Sequence, residues 1–167
     1  MTKAWIKYPV MFVAFVLLQV LILNQIHLGG FLNPYIYVLF ILLLPISMPR
    51  YQVLLLSFLI GMTIDWFSNT LGLHAAASVL IGFVRSPVMA LISVREIEQS
   101  DYPGLKQTGI KWFLAYVVVL VLIHHFFLFY LEVFSFVGFF RTLLRSIFST
   151  AFSVVVIVLS QYLVFRK

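Results

Sequence analysis

Six stretches of this chain are apolar over lengths that matter in a bilayer. A spanning helix takes about 20 mostly apolar residues, within a range near 17–25. The first stretch, 8–26, follows Lys3 and Lys7 and ends among Asn24, Gln25, His27, Gly29 and Gly30, before Asn33-Pro34 breaks the chain. The second, 35–48, is short and closes on Pro45 and Pro49, a pattern that suits a tilted, thinned or partly re-entrant segment. The third (52–67) and fourth (71–92) are joined by the tight link Ser68-Asn69-Thr70. A polar loop over 93–111, with Arg95, Glu96, Glu98, Asp101 and Lys106, is the one stretch that reads as water-exposed. The fifth stretch is 112–131 and the sixth 142–165, and the aromatic link from Glu132 to Arg141 is expected at the interface. The pattern predicts an all-α membrane protein, a bundle of about six transmembrane helices forming a single polytopic domain over 1–167.

Composition supports the pattern. Of 167 residues, 63% are hydrophobic and 10% charged, against roughly 45–50% and about 25% in globular chains. As a soluble domain it would leave a large apolar surface in water. With no cysteine, disulfides, thiolate metal sites and Cys nucleophiles are excluded. The net charge of +6 is not a nucleic-acid signature, because the basic residues cap the apolar runs. There they serve as topology signals and contacts to anionic lipid. With six spans, Lys3, Lys7, Arg50, Arg95, Lys106, Lys111, Arg166 and Lys167 fall on one side, and Arg141 and Arg145 on the other. Short-loop Lys and Arg favour the cytoplasm, so both termini and the 93–111 loop are expected there. Trp5, Tyr51 and Trp112 are expected at the cytoplasmic interface. The first run reads as a signal anchor that is not cleaved.

Polar residues within spans call for partners, because ionisable groups there are costly. On the third helix Ser57, Gly61 and Asp65 recur every fourth residue, and on the fourth so do His74, Ser78, Gly82, Ser86 and Ala90. Residues four apart share a helix face, and small ones let backbones approach closely in lipid. Folding the hairpin at its link sets Gly61 level with Val79, and Asp65 level with Ala75 beside His74. The Asp65–His74 pair reads either as a proton relay or solute contact, or as a polar latch at the outer interface; the latch is the cheaper arrangement. Arg85 lies about 15 Å in depth from Asp65 at roughly 1.5 Å per residue. It is expected to snorkel to the inner face, toward a lipid phosphate or a partner's carboxylate. Pro87 should bend its helix.

His124 and His125 are adjacent, so their side chains diverge by about 100° and are better suited to interhelical hydrogen bonds than to one metal ion. Ser146, Ser149, Thr150, Ser153 and Ser160 lie nearly on one face of the sixth helix. A packing seam is the simpler reading, because a serine nucleophile needs a base within reach. Gln19 and Asn24 read as interhelical hydrogen-bonders. There is no Gly-rich phosphate loop and no HExxH motif, so neither an enzyme nor a cofactor is expected.

Several of these residues together resemble the MreD family of bacterial rod-shape-determining membrane proteins. The resemblance runs through Leu23-Asn24 with Gly29-Gly30 and Pro34, then Leu44-Pro45. It continues with Gly61 to Asp65-Trp66-Phe67, Leu71-Gly72-Leu73-His74-Ala75 and Arg85, and ends with Ile123-His124-His125-Phe126 and Leu131 to Phe134. It covers nearly the whole chain. It implies a non-enzymatic inner-membrane component of the elongation machinery that scaffolds lateral peptidoglycan synthesis. The implied partner is a bitopic protein of MreC type, and through it MreB filaments and the RodA–penicillin-binding-protein synthase. It also implies a fold similar to the substrate-binding subunits of energy-coupling-factor transporters. Asp65, His74, Arg85, Gly61, Ser78, Gly82, Ser149 and Ser153 are the structural or interaction candidates. The runner-up is a small-solute transporter or substrate-binding subunit; third is an intramembrane hydrolase using His124, His125 or Asp65.

Overall fold

A computed structural model describes residues 2–26, 32–92, 101–135 and 137–164, with the side chains of 2–5 and 164 excepted. His27, Gly29, Gly30, Arg95, Glu96, Glu98, Arg166 and Lys167, and the side chains of Lys3 and Trp5, lie outside the described part. The architecture is an all-α membrane bundle with five helices long and apolar enough to cross a bilayer.

The five follow the apolar runs closely. Helix α1 (Thr2–Leu17) continues through a π turn (Leu18–Ile22) and a 3-10 turn (Leu23–Gln25), giving one apolar rod over Ile6–Gln25. Helices α3 (Arg50–Ser68) and α4 (Leu73–Ile92) form the expected hairpin. A short α5 (Leu105–Thr108) leads through Gly109 into α6 (Ile110–Val133), and α7 (Phe139–Val164) closes the described chain. Trp112, in the first turn of α6, is buried against the bundle and stacked on Tyr116 with ring centroids 4.9 Å apart.

The second apolar run departs from a spanning helix. Only Val38–Leu42 is helical, and this is α2. Pro45 disfavours helical geometry at Leu44, so the helix stops short of it. Every residue from Ile36 to Leu44 is at most 5% exposed. A run that is apolar on all sides is stable when surrounded, and this one is the centre of the bundle. It packs on α1, α3 and α4 and meets α6 and α7 through the polar contacts described below.

The described residues nevertheless run the length of the bundle about six times, five of them as the long helices. The far ends of α1 and α3 are joined by Asn24 Nδ2 donating to Ser68 Oγ at 3.3 Å, and their near ends line a common groove of Tyr8, Phe12, Gln52 and Leu56. These helices are therefore parallel, and 32–48 must return through the full thickness between them. A five-residue helix with extended flanks covers the distance, since extended chain advances about 3.3 Å per residue against about 1.5 Å in a helix. With 32–48 counted as one pass, the start of α1 and the end of α7 lie at the same end of the bundle.

Helices α3 and α4 approach each other backbone to backbone. A Cβ on Gly61 would lie 2.5 Å from Ala75 Cα and 2.6 Å from the His74 carbonyl oxygen. The expected level with Val79 is thus replaced by direct contact with the first turn of α4, because the bare Gly61 backbone lets that turn lie on α3. At Gly82 a Cβ would meet Ser57 Oγ at 2.5 Å, which is a side chain able to rotate. Ser78 is buried, but Ser86 and Ala90 are exposed, so the small-residue stripe on α4 ends at Gly82. We expect Gly61→Ala to destabilise the bundle by about 2–3 kcal/mol, as overpacking against rigid backbone does, and Gly82→Ala by clearly less. Thermal unfolding of both variants in detergent checks the order; equal losses would contradict it.

Candidate functional site

Two polar constellations lie inside the membrane region. The first joins the two strongest sequence candidates. Asp65, near the end of α3, is buried, and its Oδ1 accepts from the His74 backbone N–H at 3.0 Å and from Thr70 Oγ1 at 2.5 Å. Its Oδ2 accepts from the Ala75 N–H at 2.8 Å, and His74 Nδ1 lies 3.1 Å from Oδ1. The first N–H groups of a helix have no intrahelical partner, and negative charge is favoured beside them. Asp65 therefore caps α4 from the neighbouring helix. Asn69 at φ 54° and Gly72 at φ 80° turn the link tightly enough to bring this about. This geometry is a latch: the carboxylate is enclosed by donors from the hairpin it closes.

The second constellation surrounds the buried crossing segment. Backbone groups in lipid need internal partners, and irregular backbone survives only where protein supplies them. Gln19 Oε1 accepts the Ile36 N–H at 2.8 Å, while its Nε2 donates to Pro34 O at 3.1 Å and to Asn24 Oδ1 at 2.8 Å. The π turn of α1 carries Gln19 into the core while Leu18, Leu21 and Ile22 remain exposed. From α7, Ser149 Oγ accepts the Asn33 N–H at 3.1 Å and Ser153 Oγ the Tyr35 N–H at 3.0 Å. From α6, the Tyr116 hydroxyl donates to Leu42 O at 3.2 Å. From α4, Arg85 donates to Leu44 O and, at 3.4 Å, to Pro45 O; its Nε donates to the Tyr116 hydroxyl at 2.9 Å. Each end of the segment is thus held by side chains from the long helices.

Arg85 is consequently not a snorkelling residue. It is 3% exposed, drawn inward by carbonyls that the end of α2 leaves without helical partners. It does not meet Asp65. The serine face of α7 is more than a seam between helices, because two of its hydroxyls hold loop backbone. Glu132 is partly exposed and paired with Arg145 at 2.9 Å.

His124 and His125 do not diverge fully, since their rings meet edge to face with centroids 5.4 Å apart, but they bond different partners. His124 Nε2 meets the Tyr37 hydroxyl at 2.6 Å. His125 Nδ1 lies 2.8 Å from Val121 O and Nε2 3.2 Å from Ser153 Oγ. A carbonyl can only accept, so Nδ1 carries the proton and Nε2 accepts from Ser153. Ser153 and His125 are therefore a hydroxyl–imidazole pair that sequence reasoning did not anticipate. Both are buried, and the serine oxygen already accepts the Tyr35 N–H. The arrangement orders the backbone of the crossing segment.

Tyr37 and Tyr116 were missed as polar contributors. The available signal was a phenol placed inside an apolar run, whose hydroxyl needs a partner when buried. Beside the latch, a cavity of about 380 Å³ is lined by Asn24, Asn33, Tyr35, Thr70, His74 and Glu132 among others.

Gln19→Leu should cost about 1–3 kcal/mol by leaving the Ile36 N–H and Pro34 carbonyl without partners. Asp65→Ala should cost about 1–2 kcal/mol, the value of a lost cap, and Asp65→Asn less, since one acceptor oxygen remains. Detergent unfolding curves with circular dichroism measure all three; an unchanged midpoint for Gln19→Leu would contradict the backbone-holding role. Comparison with protein-family models, with curated proteins and with solved structures finds no match to this chain.

Proposed function

We propose that this chain is a non-enzymatic component of the bacterial cell-elongation machinery, a multi-pass protein of the inner membrane with both termini cytoplasmic. Its role is to scaffold lateral peptidoglycan synthesis by docking the single span of a bitopic, MreC-type partner, and through it MreB filaments and the RodA–penicillin-binding-protein synthase. The observation that carries this reading is where the intramembrane polar groups are used. Gln19, Arg85, Tyr116, Ser149 and Ser153 bond the chain's own crossing segment, and Asp65 caps its own hairpin. A body built this way is a rigid platform, and its outward face offers apolar side chains such as Phe58, Met62 and Trp66 on α3. Packing is the chief force between helices in lipid, so docking of a partner span suits such a face. The residues of the MreD resemblance take structural positions consistent with that role: Gly61 at the α3–α4 backbone contact, Asp65 and His74 in the cap, Arg85 on the crossing segment. The even number of passes and the basic residues Lys7, Arg50 and Lys111 at one end favour cytoplasmic termini.

The cavity beside the latch supports a second reading, a small-solute transporter or substrate-binding subunit. It is polar in part and is bordered by His74, whose Nε2 is buried without a hydrogen-bond partner.

Depletion in a rod-shaped host should turn rods into spheres, and the tagged protein should co-purify with a bitopic membrane partner. Normal shape after clean deletion would count against the scaffold. A solute retained at stoichiometric amounts through purification would favour the second reading instead.

A further inference from the structure

At the end of the bundle where α3 begins, a cavity of about 340 Å³ is lined by Ile46, Met48, Arg50, Val53, Arg85 and Ser86, among others. Two guanidinium groups thus border one small space. Among the described residues neither is within ion-pair distance of a carboxylate. Arg85 is held by neutral acceptors alone, two carbonyls and a phenol. Arg50 is exposed and rests on the Phe83 ring at 4.8 Å. Asp101 also lies at this corner: its carbonyl accepts the Ile46 N–H at 3.0 Å, and its carboxylate, in electrostatic range of Tyr8, forms no ion pair with either arginine. A buried cation bonded only to neutral groups keeps most of its charge uncompensated, and the positive end of the α3 dipole adds to the field.

Next to this basic space is an apolar one. A groove of about 600 Å³ between α1 and α3 is bounded by Tyr8, Phe12, Phe40, Met48 and Leu56. Met48 borders both. A site with fixed positive charge at one end and a hydrocarbon-lined channel at the other is complementary to a molecule with an anionic head and an apolar tail.

We infer that this corner is a binding site for an anionic phospholipid. The headgroup phosphate is held by Arg50 in the field of Arg85, and an acyl chain lies over Met48 in the α1–α3 groove. Arginine matches phosphate oxygens through its planar fork of donors. Arg50, exposed and free of backbone-holding duties, makes the direct contact. Arg85 acts from behind, its Nη1 bound only loosely, at 3.4 Å, to Pro45 O. The site stands on these residues whatever partner the bundle docks.

The test uses the full chain in detergent, titrated with phosphatidylglycerol, phosphatidylcholine or inorganic phosphate, and followed by native mass spectrometry and thermal unfolding. Phosphatidylglycerol should be retained and should raise the unfolding midpoint, while phosphatidylcholine and inorganic phosphate should not. Arg50→Gln should weaken phosphatidylglycerol binding roughly tenfold, the usual scale for a lost charge-assisted bond. Lys111→Gln, which removes the same charge from another exposed position at this end of the bundle, should leave binding unchanged. Equal binding of the two lipids would overturn the site, as would equal losses in Arg50→Gln and Lys111→Gln. Stabilisation by inorganic phosphate alone would overturn the lipid assignment. Leu56→Trp, which fills the groove, should reduce retained lipid with the helical spectrum intact; undiminished retention would overturn the acyl-chain placement.

Discussion

The bundle depends on satisfying the backbone of a segment that is neither a spanning helix nor exposed to water. Residues 32–48 cross the apolar interior with only five residues in a helix. Their remaining N–H and C=O groups have no water to turn to, and each one left without a partner would cost several kcal/mol. The long helices answer with side chains aimed at particular backbone atoms: an amide from α1, a guanidinium from α4, a phenol from α6 and two hydroxyls from α7. This requirement explains why such costly residues occupy the spans, and why they point inward and not toward lipid.

The α3–α4 hairpin provides the frame for that arrangement. Its helices touch backbone to backbone at Gly61, and Asp65 fixes the start of α4. Fixing that start also sets the height of Arg85, three turns along the same helix, against the carbonyls of Leu44 and Pro45. The latch and the guanidinium tie are thus coupled through one rigid element. A rigid helix transmits a small displacement at one end to the other, so the α3–α4 link and the basic corner beside the start of α3 are joined through α4.

Much of this was legible in the residue pattern. Five of the six apolar runs became helices with ends within a few positions of those expected, since length and apolarity determine spans with little help from tertiary context. The nearness of Asp65 and His74 followed from the short link and helical spacing alone. The second run was harder. Its prolines marked it as irregular, but its uniform apolarity gave no face and hence no sign that it would be enclosed. Arg85 was misread for the same reason: its partners are carbonyls, which every residue has, and only the fold decides which carbonyls lie within reach. Ser149 and Ser153 show the same limit, since a hydroxyl that grips distant backbone is spaced like one that merely packs.

The crossing segment also bears on how the protein is made. Val38–Leu42 is too short to enter the bilayer as an independent helix, and most of its fasteners, Arg85, Tyr116, Ser149 and Ser153, lie later in the chain. When residues 32–48 leave the ribosome, only Gln19 of that set has been synthesised. The segment therefore gains these partners only as α4, α6 and α7 follow it. Helix α7 completes the centre, so a nascent chain stopped before Ser149 would leave the Asn33 and Tyr35 amides without these partners.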